Sequence, residues 1–122
     1  MAFYVTLKCD KTINPLDKEY RLRGEWEVAI VQTIIGNKPI DSPVVWILCD
    51  LVEYSNYNSI PMPLLGIINS REGQRVVNTK PYYTRIVRKR FSSINIVFKA
   101  DPESESDLIL QDLYLRLHFR KH

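Results

Sequence analysis

The sequence predicts an all-β fold, on three observations. Apolar and polar residues alternate in several segments, other segments are apolar runs rich in β-branched and aromatic residues, and turn-forming residues separate them. The chain has 122 residues, which fits one domain, here residues 1–122. About seven to eight short strands separated by turns are typical of an antiparallel β-sandwich or a barrel.

Alternation is clearest in residues 113–120, where leucines and Phe119 alternate with polar, mostly basic residues. Residues 94–99 and 3–8 repeat this two-residue period, which gives a strand one apolar face and one polar face. Residues 26–31 and 44–49 are apolar on both faces and therefore predict central strands that are covered on both sides.

Shorter strands are predicted at residues 64–69, 75–78 and 84–91, with turns at 36–39 and 71–73. Residues 101–107 alternate carboxylates with Ser and Pro, which favours a solvated loop over a calcium site because the spacing of an EF-hand is absent. The residues expected in the core are Phe3, Val5, Trp26, Val28, Ile30, Val44, Trp46, Leu48, Ile94, Ile96, Phe98, Leu115, Leu117 and Phe119.

The positive charge of the chain is unevenly distributed along the sequence. Residues 1–61 carry six Lys/Arg against eight Asp/Glu, and residues 62–122 carry eleven against six. This asymmetry permits a surface for nucleic acid or an acidic partner. The two cysteines, Cys9 and Cys49, lie in apolar surroundings and are expected to be small buried hydrophobes. Residues 1–5 lack the features of a signal peptide, so we expect synthesis inside the cell in a reducing compartment.

No catalytic, metal or cofactor site is predicted, and we expect the protein not to be an enzyme. The two histidines, His118 and His122, are close to the carboxyl end, and His118 falls on the polar face of a strand. The two cysteines do not supply the closely spaced ligands of a zinc site, and the four glycines are too scattered to form a phosphate-binding loop. A membrane span and a small-molecule substrate are not expected either.

The strongest polar feature is a set of basic residues in the second half of the chain, which are candidates for contacts with nucleic acid or with a neighbouring subunit. They are Arg85, Arg88, Lys89, Arg90, Arg116 and Arg120. Cations on an edge strand that block strand addition are the alternative explanation. Four tyrosines in loop-like contexts are candidate interface anchors: Tyr54, Tyr57, Tyr82 and Tyr83.

Several stretches together resemble one family, the jelly-roll minor capsid (penton-like) proteins of Polinton/Maverick transposons and adintoviruses. In order along the chain they are Phe3-Tyr4-Val5-Thr6-Leu7, Gly24-Glu25-Trp26-Glu27-Val28-Ala29, Cys49-Asp50-Leu51-Val52-Glu53, Pro63-Leu64-Leu65, Pro81-Tyr82-Tyr83 and Leu115-Arg116-Leu117-His118-Phe119-Arg120. The resemblance spans nearly the whole chain. One departure is that residues 32–44 alone join the two predicted strands that contain the second and third stretches. Family members carry a longer insertion there, which makes this a shortened form.

The resemblance implies a single jelly-roll-like antiparallel sandwich that assembles in a shell around double-stranded DNA, with no catalytic residues. We therefore expect a capsid subunit, penton-like or minor, that forms homo-oligomers, packs with other capsid proteins and resides in a virion or virus-like particle. The alternative is a non-enzymatic β-barrel or sandwich module, viral or host-adopted, that contacts nucleic acid through the basic residues. Affinity that collapses as salt rises would distinguish it.

Overall fold

A computed structural model describes residues 2–36, 42–70, 75–77, 80–108, 110 and 112–122. Its described part contains eleven strands and no helix. The strands are β1 (Ala2–Lys8), β2 (Ile13–Arg21), β3 (Trp26–Ile35), β4 (Val44–Cys49), β5 (Ser55–Tyr57), β6 (Ile60–Met62), β7 (Leu64–Asn69), β8 (Arg75–Val77), β9 (Thr84–Arg85), β10 (Arg90–Lys99) and β11 (Leu113–Lys121). None of the described residues forms a helix long and apolar enough to cross a membrane.

Two antiparallel sheets form the sandwich. The first has the order β1-β11-β3-β8, with β9 also paired to β3, and the second has the order β2-β10-β4-β7. Without β9 and the small hairpin of β5 and β6, eight strands remain, and each sheet alternates strands from distant parts of the chain. This arrangement is a jelly roll. The predicted all-β sandwich is confirmed. The eight framework strands equal the expected number, but they include β2, which the sequence did not predict, and three short strands are present in addition.

The core lies between the sheets and is built by alternation. In β11 the even-numbered residues face outward, while Leu113, Leu115, Leu117 and Phe119 are buried. Buried and outward residues also alternate in β1, where Val5 and Leu7 are buried, and in β10, where Ile94, Ile96 and Phe98 are buried. Eleven of the fourteen predicted core residues are buried, ten of them in this core and Leu48 on the other side of its sheet. Phe3 is half-buried against the core, and Val44 and Trp46 are not in it.

Four aromatic rings join the two sheets inside this core. Phe3 of β1 stacks on Phe119 of β11 at 4.7 Å and on Tyr20 of β2 at 5.0 Å. Phe91 of β10 completes the group, 5.4 Å from Tyr20 and 5.9 Å from Phe119. Ring centroids at these separations attract one another beyond the area that they bury. We call these four rings the aromatic quartet.

The face of β4 that packs in the main core is the opposite of the predicted one. Val45, Ile47 and Cys49 face the main core, whereas Val44 is exposed and Trp46 faces the other side of the sheet. The β5–β6 hairpin, whose turn residues Asn58 and Ser59 have positive φ, covers that side. There Met62 packs with Leu48 and Leu64 in a second cluster, which explains why β4 is apolar on both faces.

Of three other segments, two differ from the sequence prediction and one agrees with it. Strand β2 was not predicted, because its charged residues and Pro15 hide the alternation. Residues 84–91 are not one strand: β9 covers the first two, 87–89 are irregular, and β10 begins at Arg90. Residues 101–107 form the expected loop. Residues 37–39 of the turn predicted at 36–39, the turn predicted at 71–73 and residue 78 of the strand predicted at 75–78 lie outside the described residues.

Candidate interaction face

The outward residues of the first sheet form a face in which aromatic and cationic side chains alternate. Strand pairing sets the positions: Tyr4 of β1 lies opposite His118 of β11, and Thr6 lies opposite Arg116. On the other side of β11, Arg120 lies opposite Glu27 of β3. Alternate residues of adjacent strands share one face of a sheet, so the polar residues of β11 and the outward residues of β1 meet there.

Tyr83, in the irregular segment just before β9, completes this face. Its hydroxyl lies 2.7 Å from Nδ1 of His118, and its ring lies under the guanidinium of Arg120 at 3.5 Å. The rings of Tyr4 and His118 contact each other at a tilt, with centroids 4.6 Å apart and an interplanar angle of 32°. The guanidinium of Arg116 lies 4.3 Å from the centre of the Tyr4 ring. The order of contacts is therefore Arg120, Tyr83, His118, Tyr4, Arg116, and we call these five residues the tyrosine–arginine face.

The face includes a shallow groove. Tyr4, Tyr83, Arg116 and His118 line it together with Val31, Gln32 and Pro81, and its volume is about 420 Å³. Tyr82 stands beside the groove with 82% of its surface exposed. An exposed aromatic beside a preformed groove is a common arrangement at protein interfaces.

No protein-family model matches the chain, and no curated protein matches it. Among solved structures, the chain is similar to the core of Drosophila NLP, whose structure is described as giving insight into pentamer formation and histone binding. The two share 9% sequence identity, the match covers 97% of this chain and 93% of the other, and the TM-score is 0.41. A likeness of this degree carries no argument about function.

Most of the basic residues singled out in the sequence are ion-paired within the chain. Arg85 lies 3.0 Å from a carboxylate oxygen of Glu25, and Lys89 lies 4.0 Å from the other. Arg88 contacts Asp50, which also accepts a hydrogen bond from the backbone N–H of Asn95. These three cations therefore do not form an open basic patch.

Arg90 and Arg120 are paired too, whereas Arg116 contacts the ring of Tyr4 and no carboxylate among the residues that the structure describes. Arg90 donates to Glu19 at 2.6 Å, and hydrogen bonds from Arg90 and Arg21 hold the pKa of the Glu19 carboxyl below its usual value. Arg120 donates to Glu27 at 2.5 Å. Five of the six predicted cations thus have a carboxylate partner, which lowers the net positive charge that a phosphate would meet there.

The four tyrosines predicted as interface anchors do not lie together in the structure. Tyr83 belongs to the tyrosine–arginine face and Tyr82 borders it. Tyr57 is half-buried in the hairpin with its ring edge-on to Trp46 at 5.4 Å, and Tyr54 is exposed just before that hairpin. Sequence reasoning missed Tyr4 and treated His118 as a surface imidazole. The sequence alternation places both residues on the outward faces of their strands. It does not show that these two strands pair with each other.

The thiol of Cys49 and the imidazole of His118, which a Cys-His catalytic pair would need side by side, lie on different sheets. Cys49 faces the core, and burial raises the pKa of its thiol to about 12, while His118 faces outward from the other sheet. Burial likewise raises the pKa of Cys9 to about 12. In the part of the chain that the structure describes, no three His, Cys, Asp or Glu side chains come together as metal ligands.

Proposed function

We propose that the protein is a structural subunit of the capsid type, penton-like or minor, that self-associates through the tyrosine–arginine face within a virus-like shell. The observation that carries this proposal is the face itself, where Tyr4, Tyr83, Arg116, His118 and Arg120 form one continuous set of contacts on the outside of a sheet. The proposed role needs no cofactor, substrate or catalytic residue.

The composition of the face suits protein recognition. Tyrosine and arginine are enriched among the residues that dominate binding energy at interfaces. Because stacking and hydrogen bonds already hold these side chains, less conformational entropy is lost when a partner docks. The ion pair of Arg120 with Glu27 reduces the net charge of the face, which favours a protein partner over a polyanion.

The jelly-roll framework also supports this role, because viral capsid domains commonly use it. That support is an argument by analogy, as lectin and cupin domains have the same framework. The resemblance to the minor capsid proteins of Polinton/Maverick elements points the same way. In a closed ring of subunits, a face of this kind docks against a different surface of the next copy.

Light scattering after size-exclusion chromatography, with negative-stain microscopy of the same fractions, tests the proposal. We expect the wild type to form species larger than a dimer, at both low and high salt. The double variant Tyr83→Ala/Arg116→Ala should lose these larger species. Tyr54→Ala removes an exposed tyrosine outside the face and is the matched control, which should assemble as the wild type does.

Two results would contradict the proposal. One is a wild type that forms nothing larger than a dimer at any concentration, and the other is a double variant that assembles normally. Nucleic-acid binding is the competing function, and a labelled duplex titrated at increasing salt measures it. Binding that falls steeply with salt and is lost in Arg88→Ala/Lys89→Ala/Arg90→Ala would replace the capsid proposal with the nucleic-acid module.

A further inference from the structure

Strand β1 is the outermost strand of the first sheet. All seven of its residues pair with β11 in one continuous register, from Ala2 opposite Arg120 to Lys8 opposite Tyr114. No described strand pairs with its other edge. Alternate residues of a strand direct their N–H and C=O groups to opposite edges, so the free edge of β1 presents a row of backbone donors and acceptors.

This edge lacks the features that usually prevent strand addition. From Ala2 to Leu7 there is no charged residue, proline or glycine, and the pairing with β11 contains no bulge in this segment. The only charged residue, Lys8, is at the end and forms an ion pair with Asp10 at 3.5 Å. The neighbouring edge strand β2 is protected, because it contains Pro15, three charged residues at 17–19 and a register shift against β10.

Space for an added strand exists beside β1. A groove of about 450 Å³ separates the edges of the two sheets and is lined by residues 4–8 of β1 and by Asn14, Pro15, Leu16, Asp17 and Tyr20 of β2. Leu16 is half-buried there. A strand that extends the first sheet beyond β1 would cover this side chain and satisfy the free edge.

We propose that β1 pairs antiparallel with β1 of a second copy of this chain, centred on Val5. In this register Phe3 lies opposite Leu7, Tyr4 opposite Thr6, and Ala2 opposite Lys8. Apolar residues then meet on the core side and no two lysines face each other, so the strand is complementary to itself. The contact has two-fold symmetry and joins the first sheets of two copies into one continuous sheet. It uses the backbone edge of β1, whereas the contact proposed for the tyrosine–arginine face uses outward side chains, of which Tyr4 alone belongs to β1.

Cysteine cross-linking between two single variants, Ala2→Cys and Lys8→Cys, tests both the pairing and its register. Positions 2 and 8 lie at opposite ends of β1, so in this register two copies of the same variant hold their introduced cysteines too far apart for a disulfide. In a mixed dimer they are directly opposite, at a Cα separation compatible with a disulfide. The native thiols are buried with their pKa raised to about 12, so they should not react.

We expect a disulfide-linked dimer when the two variants are mixed under mild oxidation, and none when either is oxidised alone. Ile13→Cys mixed with Lys8→Cys is the matched control, since Ile13 is 59% exposed on the other edge strand, and it should not cross-link. Failure of the Ala2→Cys and Lys8→Cys mixture to cross-link, or equal cross-linking of the control, would overturn the proposal. Neither result bears on the larger species expected from the tyrosine–arginine face, so the two proposals can fail separately.

Discussion

The hydroxyl of Tyr83 lies 2.7 Å from Nδ1 of His118 and ties an irregular segment to the outer face of a sheet. The same Tyr83 ring lies under Arg120, so one residue connects a hydrogen bond to a cation–π contact. The segment from Pro81 to Tyr83 has no strand pairing of its own in the described chain, so side-chain contacts of this kind position it.

Replacing Tyr83 by Phe should remove the hydrogen bond to His118 and keep the ring on Arg120. A hydrogen bond of this kind contributes about 1 kcal/mol, so we expect the free energy of unfolding to fall by about that amount. Denaturant unfolding measures the change. Tyr82→Phe, at a hydroxyl on a side chain that is 82% exposed, is the control and should change stability by less than about 0.5 kcal/mol. An equal effect of both substitutions would show that the contact with His118 adds nothing.

Replacing Phe119 by Ala should open a cavity in the aromatic quartet. Phe119 is fully buried and stacks on Phe3 and Phe91, so we expect a loss of about 3–5 kcal/mol. Thermal or denaturant unfolding checks this, with Val87→Ala as a control at a side chain that is 55% exposed. A loss of under about 1 kcal/mol for Phe119→Ala would mean that the quartet contributes little to the core.

Asn14 should be required for the loop that precedes β2. Its buried side-chain amide lies 3.1 Å from the carbonyl oxygen of Thr12 and 3.2 Å from those of Lys11 and Ile94. Removing the donor takes this bond from the buried carbonyl of Ile94 and from that of Lys11, while that of Thr12 still accepts from the backbone N–H of Ile96. Asn14→Ala should therefore destabilise the protein by about 1–3 kcal/mol. Hydrogen exchange of the amides of β10 should also quicken near Ile94. Asn56→Ala, at an exposed asparagine of β5, should show neither effect.

The two buried thiols should make stability fall at alkaline pH. Burial raises the pKa of Cys9 and Cys49 to about 12, whereas an unfolded thiol titrates near pH 8.5. Above about pH 8.5 the unfolded chain therefore releases protons that the folded chain retains, and stability is lost as the pH rises towards 12. The double variant Cys9→Ala/Cys49→Ala should lose less stability than the wild type between pH 8 and pH 10 in denaturant titrations. Parallel losses in the two proteins would refute this contribution.

The alternating strands could be predicted from the sequence because apolar residues at every second position identify the buried face. β1, β10 and β11 follow it, and their buried faces are those expected. The phase of β4 could not be read, because its six apolar residues give no contrast between the faces; the hairpin that covers Trp46 decides it. β2 could not be recognised, since an edge strand with Pro15 and charged residues looks like a loop.

The tyrosine–arginine face was only partly predictable for a different reason. Arg116, Arg120 and Tyr83 are recognisable as polar or aromatic residues outside the core, but Tyr4 meets His118 only because β1 pairs with β11. That pairing joins residues that are far apart in the sequence, and no local pattern records it. The partners of the cations were hidden in the same way, since Glu19 reaches Arg90 only across the pairing of β2 with β10.

The aromatic quartet also has a consequence for the order of folding. Its rings come from β1, β2, β10 and β11, so the group cannot close until strands from both halves of the sequence have met. Contacts of such long sequence separation slow folding, typically to milliseconds or seconds in all-β domains. During synthesis, β1 cannot pair until β11, its only described strand partner, has been made. Until then both edges of β1 are exposed to the solvent. The interval before β11 emerges is therefore when this chain is most exposed to non-native strand pairing.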